Sequence, residues 1–224
     1  MPMNRTIRMR KVLSVLLNLA MFLMVAWSVG KMILFRGTGN MQVSGAWAFI
    51  YFTVDSNVFC AAACLLAGLY RAVSGKMPWW VLIFKYIGTT AVTVTLMTVL
   101  VFLGPVLGYT GMFSGINLYL HLLAPLAAIL SFVFWDDERK LDQKYIWLSV
   151  LPTFLYGMVY LYQVVCVGAE NGGWHDFYGF NMGGRWILSC VIMGIATLVI
   201  SIVLWALHRA VGKKAKTDRT GGDQ

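Results

Sequence analysis

The stretch "YFTVDSNVFC" at 51–60 clusters Thr53, Asp55, Ser56 and Asn57 in a largely apolar run that continues "AAACLLAGLY". Thr53, Ser56, Asn57, Cys60 and Cys64 fall at i, i+3, i+4, i+7 and i+11, so on a helix they share a face. Asp55 is turned about 200° from Thr53 and belongs to another face. Further along, in "NLYLHLLAPLAAIL", Asn117 and His121 stand one helical turn apart, with Pro125 one turn beyond. A threonine hydroxyl is a poor nucleophile at neutral pH and needs a base within hydrogen-bond reach, which a neutral imidazole supplies. With donors to stabilise an oxyanion, Thr53 and His121 are sufficient apparatus for acyl transfer from an ester, and Asn57, Asn117 and Ser56 are the candidate supporting groups. The same residue types also serve as glue between membrane helices or bond back to their own carbonyls, so the chemistry is one of two readings.

A third group lies in the glycine-rich segment "VGAENGGWHDFYGFNMGGRW", where Trp174, His175 and Asp176 could cap a cavity or form an interfacial aromatic loop. No metal-ligand spacing appears. Cys60 and Cys64 have no matching histidine pair and read as small buried thiols, and no cofactor motif is present.

The elements that must carry these residues follow from composition. With 59% hydrophobic and 12% charged residues over 224 positions, the chain is far more apolar than a soluble domain, whose charged share is about 25%. Apolar runs at about 12 to 35, 45 to 70, 78 to 103, 116 to 135, 145 to 168 and 185 to 207 each approach the ~20 residues that cross a hydrocarbon core. The expectation is an all-α polytopic membrane protein of six transmembrane helices, 1–207, followed by a basic, disordered cytoplasmic tail, 208–224. The first run is too long for a signal-peptide core and is kept as a helix.

Basic residues orient the bundle. Arg5, Arg8, Arg10, Lys11, Arg71, Lys76, Arg139, Lys140, Lys144, Arg209, Lys213, Lys214, Lys216 and Arg219 fall on one side, against Lys31, Arg36 and Arg185 on the other. Both termini are therefore cytoplasmic. The net charge of +9 thus serves topology and contact with membrane lipids, not nucleic acid. Lys85 is expected to snorkel to the cytoplasmic face, the threonines of "GTTAVTVTLMT" to form packing surface, and "WDDERKLDQK" to be a solvated connector. Counting 1.5 Å per residue puts Thr53 ~9 Å below Trp47 and His121 ~6 Å below Asn117, in one layer of the outer leaflet.

The pairs Phe52-Thr53 and Ser56-Asn57, followed by "NLYLHLLAP" with His121 and Pro125, resemble the androgen-induced-gene-one and androgen-dependent TFPI-regulating protein family, above all its bacterial branch. The similarity runs in order through all six spans. It implies a multipass hydrolase of fatty acid esters of hydroxy fatty acids, with the nucleophile at Thr53 and the histidine at His121. "GWHDFYGFNMGG" lacks the proline-containing aromatic motif of the family's last loop. The expected function is a lipid ester hydrolase or acyltransferase in a bacterial inner membrane, acting on a lipid ester substrate. The alternatives are a small proton-coupled transporter using Asp55, His121 and Lys85, or a non-catalytic scaffold.

Overall fold

The computed structural model describes residues 5–35, 43–136 and 139–220. Among them there is no strand, and six helices are long and apolar enough to span a membrane. The helices are α1 (Arg5–Leu34), α2 (Phe52–Ser74), α3 (Trp79–Leu107), α4 (Ile116–Asp136), α5 (Lys144–Val167) and α6 (Trp186–Thr220). In lipid every backbone polar group needs an internal partner, and helices provide one within each segment. Six spans return the chain to the side on which it began, so the positive-inside bias assigns both ends to the cytoplasm. Arg36 lies outside the described residues.

Helix α3 is the centre of the bundle and packs against α2, α4, α5 and α6, while α1 lies against α2 and α4. Its small and hydroxylated residues allow this. Thr89, Thr90, Thr93 and Thr95 are all buried, and a Cβ on Gly88 would come within 2.8 Å of the Cys60 Cα on α2. Glycine there sets how closely α2 and α3 approach. By contrast α5 and α6 bury little of their surface and present their outer faces to lipid.

Two residues read as solvent-facing are at the core instead. Lys85 does not snorkel; it is fully buried and donates to Asn18 Oδ1 at 2.5 Å, Cys64 Sγ at 2.8 Å and Ser131 Oγ at 2.9 Å. Its Nζ lies 3.6 Å from Asp136 Oδ2, and Asp136 Oδ1 accepts from Ser14 at 2.8 Å and Asn18 at 2.6 Å. Asp136, taken from sequence as part of a solvated connector, is also fully buried. Each charge is tolerated because the other lies beside it, and the pair joins α1, α2, α3 and α4 in the cytoplasmic half.

Two boundaries also move. The run read as starting near 45 begins as a separate 3₁₀ turn, Gly45–Ile50, and Tyr51 is extended (φ −97°, ψ 126°), so α2 starts at Phe52. Trp47 is exposed on that turn, and the depth counted from it does not apply: Thr53 sits in the first turn of α2. The tail assigned from 208 starts helical, and α6 continues to Thr220. His208 is buried, stacks on Phe132 at 4.6 Å between centroids, and its nitrogens meet the carbonyls of Phe132 and Arg139, both at 3.0 Å.

Replacing either member of the buried charge pair leaves the other uncompensated. Lys85→Met or Asp136→Leu alone is expected to destabilise the folded protein by about 3–5 kcal/mol, with the double replacement recovering most of the loss. Thermal unfolding in detergent measures this, and a double variant no better than the worse single would show the two charges to be uncoupled.

Candidate functional site

The first turn of α2 is where the polar residues of "YFTVDSNVFC" meet the outer loops. The amides of Val54 and Asp55 bond the Tyr51 carbonyl, at 2.9 and 3.2 Å. Among the described residues no backbone carbonyl takes the Phe52 and Thr53 amides, which are left at the positive end of the helix. The Tyr178 hydroxyl faces them, together with the hydroxyls of Thr53 and Tyr156. Burial dominates at Tyr178 and pushes its phenol up to about 12, although these neighbours pull it down. At neutral pH it is a protonated donor.

Tyr178 is held there by the 168–185 loop. Asp176 organises that loop: its Oδ1 accepts from the Tyr160 hydroxyl and the Phe180 amide, both at 2.8 Å, and its Oδ2 from the Asn181 amide at 2.8 Å. Tyr160 in turn accepts from the Tyr178 amide at 3.0 Å. The loop is pinned to α5, and the aromatic rings of Tyr156, Tyr160, Phe177 and Tyr178 pack on one another at 4.8–6.4 Å.

Below this turn lies a cavity of about 190 Å³ between α3, α5 and α6. Thr53, Tyr156, Tyr160, Tyr178 and Phe180 line its outer part, and Val150, Thr153 and Thr197 line it further in. Its walls are overwhelmingly apolar. Phe154 and Met158, which also line it, are 61% and 55% exposed, so the cavity borders the lipid-facing surface of α5.

The sequence candidates fall into place unevenly. Thr53 lines the cavity. His121 is buried on α4 in a widened turn, Tyr119–Leu123, because Pro125 has no N–H to offer the His121 carbonyl. Its Nδ1 lies 2.8 Å from the Met112 carbonyl. A carbonyl only accepts, so Nδ1 carries the proton and Nε2 is left as an acceptor. Helices α2 and α4 do touch, since Asn57 Nδ2 donates to the Leu120 carbonyl at 3.0 Å and to Thr53 O at 2.7 Å. No hydrogen bond joins Thr53 to His121 among the described residues. Met112, Val99 and Leu103 form one buried cluster against which Tyr178 packs, so His121 is tied to the same outer end of the bundle.

Asn57 thus uses its amide donors on backbone, and Ser56 bonds Thr95 Oγ1 at 3.0 Å, tying α2 to α3. Asn117 donates to Gly111 O at 3.1 Å and braces the turn before α4. In this arrangement these hydrogen bonds of all three tie backbone and helices together. Trp174 lines a second, lipid-facing groove, His175 is exposed and lines neither space, and Asp176 positions the loop. The sequence places Tyr178 in the loop that could cap a cavity or form an aromatic belt, but it does not single out Tyr156 or Tyr160, and nothing in local spacing marks a hydroxyl aimed at a helix terminus.

These features define a polytopic helical membrane protein with a hydroxyl-lined apolar cavity at the outer end of α2. Comparison with family models, curated proteins and solved structures finds no match to this chain.

If Asp176 sets the loop, Asp176→Ala frees three donors at once and is expected to cost about 2–3 kcal/mol, with the 168–185 segment becoming the first site cut in limited proteolysis. Unchanged proteolysis would show that the loop is held by aromatic packing alone.

Proposed function

We propose that the protein is a membrane-embedded hydrolase or acyltransferase of lipid acyl esters, with Thr53 as nucleophile and His121 as base. The observation that carries the reading is Thr53 on the wall of an apolar, lipid-bordering cavity, in the turn where two helix amides and the Tyr178 hydroxyl converge. An acyl chain suits the cavity, and its ester carbonyl would stand beside Thr53.

In this scheme His121 Nε2 accepts the Thr53 proton as Oγ1 attacks the carbonyl. The oxyanion is stabilised by the Phe52 and Thr53 amides and the protonated Tyr178. Collapse breaks the acyl C–O bond, and the leaving oxygen takes the proton that the imidazolium received from Thr53, departing as the alcohol. Water, or an acceptor alcohol, then resolves the acyl-enzyme by the same route. The Thr53 and His121 side chains come within bonding distance when substrate fills the cavity, as catalytic contacts commonly tighten on binding. The bilayer is proposed to be a bacterial inner membrane, on the resemblance to the bacterial branch of the family.

The relay that a transporter would need has less support. Lys85 is engaged in the buried pair with Asp136, Asp55 faces the lipid-side groove, and no hydrogen bond links either to His121 among the described residues.

Fluorophosphonate labelling of the detergent-purified protein, mapped by mass spectrometry, tests the proposal. The expected adduct is on Thr53, absent in Thr53→Ala, retained in part in Thr53→Ser, and slowed about 10²–10⁴-fold in His121→Ala. Folded protein that takes no label, or is labelled equally in Thr53→Ala, would overturn it.

A further inference from the structure

Asp55 takes no part in that scheme. Its carboxylate makes no hydrogen bond or ion pair among the described residues, yet the side chain is only partly exposed. It lies in a groove of about 550 Å³ on the lipid-facing side of α2, α3 and α5. That volume is within the roughly 300–1,000 Å³ of small-molecule sites. Around Asp55 the groove is built of aromatic rings: Phe49 and Phe52, Phe59, Tyr156 and Trp174.

A lone carboxylate beside apolar rings is a costly arrangement without a cation. Its position in the first turn of α2 offsets part of that cost through the helix dipole, but the dipole calls for no aromatic neighbours. The two features together have one natural complement. An ammonium group donates hydrogen bonds to the carboxylate and lies against the negative faces of the rings. Among the described residues no Arg or Lys side chain pairs with Asp55.

Depth identifies the source. The groove is at the outer end of α2, walled by Phe49 of the outer 3₁₀ turn and Trp174 of the outer loop, which is head-group level in the outer leaflet. Phe59, one helical turn below Asp55, extends it toward the acyl region. An amphiphile with an ammonium head and hydrocarbon tails fits this progression from charge to grease.

We propose that the groove holds the ammonium head group of an outer-leaflet phospholipid of the phosphatidylethanolamine type, with Asp55 as its counter-ion. The site shares the Phe52 and Tyr156 walls with the Thr53 cavity but does not depend on chemistry there.

Delipidated protein titrated with phosphatidylethanolamine or phosphatidylglycerol of identical tails, and read by native mass spectrometry, tests this. The wild type is expected to bind the ethanolamine lipid about tenfold more tightly, and Asp55→Asn to abolish that preference. Trp174→Leu is expected to weaken it. Thermal unfolding of each variant confirms that it is folded. Equal binding of the two lipids by the wild type, or an undiminished preference in folded Asp55→Asn, would overturn the proposal. Displacement by tail-free glycerophosphoethanolamine at the same concentration as the lipid would overturn a bilayer lipid as the occupant.

Discussion

The interaction on which the rest depends is the ion pair between Lys85 and Asp136. Neither charge is stable alone at that depth, so each requires the helix that carries the other, and Ser14, Asn18, Cys64 and Ser131 supply hydrogen bonds to the two ions. Four helices are thereby fixed to one another by polar contacts that lipid cannot replace. Apolar packing between helices has no such advantage over packing against lipid tails.

Helices α5 and α6 take no part in that network. Their anchorage is at the ends: the Tyr86, Ser149 and Ser201 hydroxyls cluster at 2.6 Å contacts, Trp205 and His208 bond the inner connector, and the Asp176 loop closes the outer side. The cavity lies among α3, α5 and α6, between these ties. The position of Thr53 at its mouth follows from the extended Tyr51, after which α2 starts and turns the Phe52 and Thr53 amides toward the Tyr178 hydroxyl.

The sequence carried the architecture well because crossing a bilayer is a compositional demand: six runs of sufficient length predict six helices. Periodicity also located a buried face on α2, and Thr53, Ser56, Asn57, Cys60 and Cys64 are all buried. What it did not carry was pairing at a distance. Lys85 and Asp136 lie on different helices and each, taken singly, has an ordinary reason to reach water. Tyr178 belongs to a loop whose path is set by Asp176 and Tyr160, and His208 to a stretch whose basic composition mimics a solvated tail. The start of α2 was missed because the apolar character continues unbroken through Tyr51, where the backbone alone changes.

The uneven attachment of the six helices has a mechanical consequence. A bilayer thicker or thinner than the hydrophobic length of a span makes that span tilt or shift, at a modest cost per ångström. Here, among the described residues, α1 to α4 share a buried polar network that α5 and α6 lack, and the cavity lies where α3 meets those two helices. A mismatch between bilayer and span length is therefore expected to be felt at the cavity before it is felt at the Lys85 and Asp136 pair.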